Sequence, residues 1–161
     1  MVKTTNFEKF NIIAFATHAV STNINSNLTE PSLILTRVSE FNKQDDGILT
    51  ASDINKLKLN ADLVILSACQ TANTDIENGQ AYTGLAESFF FAGSKAILAT
   101  HFVVETNSAV AISSGLIKNL SGNGNISYSQ ALRQSIIDLI RNNKRYQHPF
   151  YWAPYIIVGN N

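Results

Sequence analysis

Four short apolar runs punctuate the chain. Ile12-Ile13-Ala14-Phe15-Ala16-Thr17 stops at His18, and Leu63-Val64-Ile65-Leu66 leads through two small residues to Cys69. Lys95-Ala96-Ile97-Leu98-Ala99-Thr100 stops at His101, and Tyr155-Ile156-Ile157-Val158 is halted by Gly159. Continuous runs of this length, bounded by polar residues, predict strands buried on both faces. Between them lie helical patterns. Thr50 and Asp53 form a capping box for a short helix reaching about Lys58 and burying Ile54 and Leu57. Tyr82 to Ala92 is apolar or small on most faces, and Gly93 supplies a stop. Residues 107–120 repeat apolar positions at Ala109, Ile112, Leu116 and Leu120, a helical spacing. Ser127 and Gln130 form a second capping box, before a helix carrying Tyr128, Leu132, Ile136, Leu139 and Ile140. Its end, Arg141 to Arg145, is basic, which suits a helix C-terminus.

The remaining segments are connections. Residues 7–11 predict a lead-in or the end of a short helix. Val20 to Pro31 is rich in Asn, Ser and Thr and predicts an exposed loop. Leu33-Ile34-Leu35-Thr36 and Gly47-Ile48-Leu49-Thr50 flank the polar turn Asn42 to Asp46, which predicts a small hairpin at the edge of the domain. Strands alternate with helices, so a mostly parallel sheet covered on both faces is expected. No internal repeat, low-complexity tract or linker interrupts the pattern. Four core strands are fewer than a catalytic α/β domain usually has. The expectation is therefore one domain over residues 1–161 that forms the C-terminal portion of something larger.

Composition narrows the function classes. The chain has 161 residues, 45% of them hydrophobic and 15% charged, with zero formal net charge. That balance gives no reason to expect nucleic-acid or anionic-membrane binding. A single cysteine permits no internal disulfide and suits a reducing compartment. The N-terminus lacks the apolar core of a signal peptide, and no run approaches bilayer-spanning length. The Asn27, Asn119 and Asn125 glycosylation patterns are read as chance matches. A cytoplasmic protein is the expectation. Three scattered histidines and one cysteine lack metal-ligand spacing. Gly79 to Leu85 imitates P-loop glycine spacing without the Lys and the Ser or Thr, so no cofactor is expected.

The thiol and imidazoles change the picture. Ligands in open α/β sheets bind at the carboxyl ends of the strands, and Cys69, His18 and His101 all follow strand ends. A cysteine there is either packing filler or a nucleophile. Two adjacent parallel strands ending in His18 and Cys69 would bring imidazole and thiol together. The thiolate is the attacking species, and a neighbouring His lowers the thiol pKa or takes its proton. Backbone N–H groups in the loop after the strand can stabilise a developing oxyanion.

Phe15-Ala16-Thr17-His18 and Asp62 to Thr71 resemble the two active-site motifs of the CHAT family. Further matching stretches run in the family's order: Glu30 to Leu35, Asp46 to Ala51, Gly84 to Phe89, Ala92 to Ala96 and His148 to Tyr155. CHAT domains are caspase-like, clan CD cysteine peptidases often fused or bound to TPR repeats. The resemblance implies a three-layer α/β/α caspase-like fold whose last strand is antiparallel, here with the N-terminal strands of the full fold missing. It implies His18 as general base and Cys69 as nucleophile, with the backbone N–H groups of Ala19 and Cys69 as oxyanion hole.

Two departures stand out. Ala19 follows the His where the family usually has Gly, which adds a Cβ near the substrate and removes tolerance for positive φ. The shortened N-terminal side would leave the His18 strand as an open edge, able to pair with a partner chain or a second copy. Candidate substrate-pocket residues are Ser67, Asp75, Glu77 and His101; acids after the cysteine would favour Lys or Arg before the scissile bond. The bland readings are an acidic surface loop for Asp75 and Glu77, a structural or cleft-wall role for His101, and capping or packing for His148. Phe89-Phe90-Phe91 and Tyr151-Trp152 read as core rather than cofactor box. The expected function is cleavage of a protein or peptide substrate through a thioester acyl-enzyme. The alternatives are an inactive caspase-like scaffold that binds a partner, and a flavodoxin-like binding module without thiol chemistry.

Overall fold

The computed structural model of the chain describes residues 2–20, 29–36, 46–67, 80–122 and 126–160. Among these, β1 (Ile12–Phe15), β5 (Leu63–Leu66), β6 (Ala96–Thr100) and β7 (Tyr155–Gly159) form one sheet in the order β1-β5-β6-β7. The first three strands are parallel, and β7 runs antiparallel to β6, pairing Tyr155 with Thr100 and Gly159 with Ala96. The antiparallel last strand implied by the family resemblance is therefore present, within a mixed α/β architecture that is mostly parallel.

The run at Leu63 to Leu66 is buried at every position because helices cover both faces. Val64 and Leu66, with Ile97 and Ala99 of β6, face α1 (Ala51–Asn55) and α2 (Gln80–Phe91) through Ile54, Leu85 and Phe89. Leu63 and Ile65, with Ala96 and Leu98, face α3 (Thr106–Leu120) and α4 (Tyr128–Asn142) through Ile112, Leu116, Ala131 and Leu139. Strand side chains alternate sides, so one apolar run supplies two cores. Each fully buried Leu, Ile or Phe contributes about 1.5–3 kcal/mol of transfer free energy.

Both predicted capping boxes form. Thr50 Oγ1 accepts from Asp53 N–H at 3.1 Å, and Ser127 Oγ accepts from Gln130 N–H at 3.3 Å. The last strand extends through Gly159, which the sequence pattern treats as a stop. Its φ of 107° lies in the region glycine tolerates.

The predicted hairpin exists, but its place differs from the expectation. β3 (Ser32–Ile34) and β4 (Ile48–Thr50) pair antiparallel, and β2 (His18–Val20) adds to β3 as a third strand. Leu33 and Leu49 are fully buried in the same cluster as Phe15 and Phe89. The small sheet is thus part of the core rather than a peripheral edge, because its central residues are the large apolar ones.

Candidate active site

The carboxyl ends of β1, β5 and β6 share one rim. β1 and β5 are direct neighbours, and their ladder ends with Phe15 opposite Leu66. The amide of Ser67 then donates to the carbonyl of Phe15 at 3.0 Å, carrying the pairing one residue past the strand. His18 and Cys69 each lie three positions beyond the Phe15–Leu66 pair. Cys69, Asp75 and Glu77 fall outside the described residues. Ser67, the described residue nearest Cys69 in sequence on the β5 side, is half-buried.

His18 does not simply trail β1. After Ala16 and Thr17 the chain enters the second sheet, and His18 opens β2 opposite Ile34 with its side chain exposed. The hydroxyl of Thr17 donates to the carbonyl of the same Ile34. Exposure suits a general base that must reach a bound substrate.

Ala19 sits elsewhere than its sequence position suggests. The residue is 1% exposed, and its methyl packs in the core cluster containing Leu33, Leu49 and Phe15, not towards open space. Strand geometry also removes any need for positive φ. The direction of its amide follows from the ladder. Leu35 N–H donates to Gly47 O at 2.7 Å, and Ala51 N–H to Pro31 O at 2.9 Å. Antiparallel pairs alternate between hydrogen-bonded and non-hydrogen-bonded, so Leu33 and Leu49 form a bonded pair and Ile34 turns its backbone groups towards β2. His18–Ile34 and Val20–Ser32 are then the bonded pairs of the next ladder, and Ala19 directs its N–H away from β3.

His101 follows β6 and is exposed, with its backbone N–H donating to Pro154 O at 2.9 Å. That bond brings the connection before β7 onto the same rim. A cluster absent from the sequence reading lies there. The Arg145 guanidinium stands 5.6 Å from the Tyr151 ring centroid and 5.9 Å from that of Tyr146. It also lies 3.7 Å from Glu105, the residue capping α3. Its hydrogen bond to the Tyr151 hydroxyl, at 3.3 Å, raises the guanidinium pKa further. Burial pushes Glu105 up, but hydrogen bonds from Ser108 and Asn107 and the charge of Arg145 outweigh it and hold the carboxylate below its ordinary range. Phe150 packs edge-on against Tyr151, with ring centroids 5.4 Å apart. The sequence signal was only basic charge after α4; that Arg145 would meet two aromatic rings depends on the 3-10 turns that follow.

Among the described residues, no group of three or more His, Cys, Asp or Glu could hold a metal ion. Nor is any described helix long and apolar enough to cross a membrane.

The CHAT domain family matches residues 1–160. The chain belongs to the CHAT family. A relative in mouse, "Tetratricopeptide repeat protein 28", is 26% identical over 118 residues, which is 71% of this chain and 4% of the relative's own length. The CHAT match covers nearly the whole chain, so both sheets and the shared rim lie within the family's domain.

Proposed function

We propose that this CHAT domain is a cysteine endopeptidase in which Cys69 is the nucleophile and His18 the general base. The observation that supports the reading is the β1–β5 register: neighbouring parallel strands, last paired at Phe15 and Leu66, with the two residues at equal offsets beyond. His18 takes the thiol proton as sulfur attacks the scissile carbonyl carbon, forming a C–S bond and an oxyanion. The N–H groups of Ala19 and Cys69 stabilise that oxyanion, a role supported by the β2–β3 pairing, in which the Ala19 N–H points away from β3. Collapse breaks the C–N bond, and His18 returns the proton to the leaving amine. His18 then deprotonates a water that hydrolyses the thioester, releasing the new carboxylate and restoring the thiol.

Ser67 and His101 line the substrate pocket in this scheme, joined by Asp75 and Glu77, which favour a basic residue before the scissile bond. The likeness to a protein named for tetratricopeptide repeats supports a TPR-containing region or chain as partner. The edge of β1, unpaired among the described residues, is a candidate for pairing with a second copy. A lone nucleophilic thiol suits a reducing, cytoplasmic setting.

Trapping with a peptidyl electrophile tests the assignment. Cys69 should label in the native protein, labelling should fall in His18→Ala, and a peptide library should be cleaved by the native protein but not by Cys69→Ala. Labelling unaffected by His18→Ala, with no cleavage and a copurifying chain, would make the domain a partner-binding scaffold instead.

A further inference from the structure

We infer that Thr17 is a positioning residue for His18. The inference rests on the peptidase reading above and extends it to what aims the base. The chain leaves one sheet at Phe15 and enters another at His18, so Ala16 and Thr17 are the whole of the crossover. At this junction the Thr17 hydroxyl reaches seventeen residues along the chain to donate to the carbonyl of Ile34. Ile34 is also the ladder partner of His18. The two attachments share one residue of β3, a strand that pairs with β4 on either side of it, at Leu33–Leu49 and Leu35–Gly47. Thr17 is half-buried while His18 is exposed.

The physical reason for such an anchor is the shortness of β2. Three residues give few ladder bonds, and His18 occupies the first position, where strands fray. Fraying of that end would shift the His18 backbone, and the imidazole with it. The Thr17 hydroxyl holds the preceding residue to β3. Displacement of a reacting group by about 1 Å can cost about a hundredfold in rate. The methyl of threonine can be supplied by valine; the donor cannot.

The test uses the full chain and Thr17→Val, Thr17→Ala and Thr17→Ser. The readout is the pH profile of Cys69 alkylation by a haloacetamide, beside His18→Ala. The wild type should show a His18-dependent component at neutral pH. Thr17→Val should reduce that component by about tenfold, and Thr17→Ser should restore most of it. Thr17→Ala serves the same purpose if the valine variant does not fold. A purely structural role would lower the melting temperature without moving the pH profile, and that result overturns the inference. So does a serine variant that behaves like valine. If alkylation of the wild type is indifferent to His18→Ala, the peptidase reading itself fails and takes the inference with it. That outcome is distinct from a wild-type profile that Thr17 substitution leaves intact.

Discussion

Ala19 and Leu33 stand opposite each other in the β2–β3 ladder, and both are buried, at 1% and 0% exposure. Ala19 is therefore a core residue, packed in one cluster with its partner Leu33. Ala19→Gly should lower stability by about 1 kcal/mol, from the lost methyl burial and the added backbone freedom of the unfolded chain. Ala19→Leu should cost more, because Leu33, Leu49 and Phe15 leave no space for three further carbons. Urea unfolding midpoints of both variants check this ordering. A stabilised Ala19→Gly would show that the methyl is strained rather than packed.

A second prediction concerns Gly93, after α2. Its φ is 110°, and a Cβ there would overlap the carbonyl oxygen of Leu59. The Leu59 amide meanwhile donates to Ala92 O at 2.8 Å, so backbone and backbone are locked in close approach. Gly93→Ala cannot be relieved by a side-chain rotation. It should cost about 2 kcal/mol or more, read as a drop in melting temperature. Gly122→Ala meets only ordinary contacts and should cost less, which makes it the control.

Acid sensitivity should centre on the loop before β3 and on α1. Glu30 accepts from the Ser52 hydroxyl at 2.7 Å and the Ser52 amide at 2.8 Å, and these bonds hold its carboxyl below the ordinary range. Burial pushes Asp53 up, but Lys3, 2.8 Å away, and the Thr50 amide outweigh it, so its pKa is also lowered. A carboxylate whose folded pKa is depressed stabilises the fold at pH values above its unfolded value, about 4. That contribution disappears as pH falls from there through the folded values. Stability at pH 7 should therefore exceed that at pH 3, and Glu30→Gln or Asp53→Asn should flatten the difference. Lys3 gives the opposite edge. Its pKa is raised, first by the Asp53 hydrogen bond, so its contribution is complete below about pH 10 and fades only as pH rises further. Urea titrations across pH measure both slopes; equal slopes in wild type and Glu30→Gln would remove Glu30 from the account.

Local patterns were legible in the chain where one residue's neighbours are set by its own sequence. Both capping boxes, the two-faced burial of Leu63 to Leu66 and the α3 stripe follow from spacing alone. β2 did not, because His18-Ala19-Val20 is short and mixed and becomes a strand only by pairing with Ser32 to Ile34. The direction of β7 was equally hidden: an apolar run reads the same parallel or antiparallel, and only the family resemblance implied the reversal. Arg145 shows the same limit. Its charge fitted a helix end, whereas its position over Tyr146 and Tyr151 is set by the turn after Asn143.

The centre of the α1/α2-side core should be its least forgiving point. Phe89 is fully buried, and its ring lies 5.3 Å from that of Phe15, tilted by 43°. This contact joins α2 to the end of β1, three residues before His18. Phe89→Ala should cost about 3–5 kcal/mol, since the cavity would be lined by strands that cannot collapse into it. Phe89→Leu should cost less than the alanine change, because most of the volume is kept. Phe91, two residues on and 79% exposed on the opposite face of α2, should tolerate alanine with a change within about 0.5 kcal/mol. If Phe91→Ala proves as costly as Phe89→Ala in urea unfolding, the register of α2 on the sheet is wrong. Phe89 would then not be what supports the end of β1.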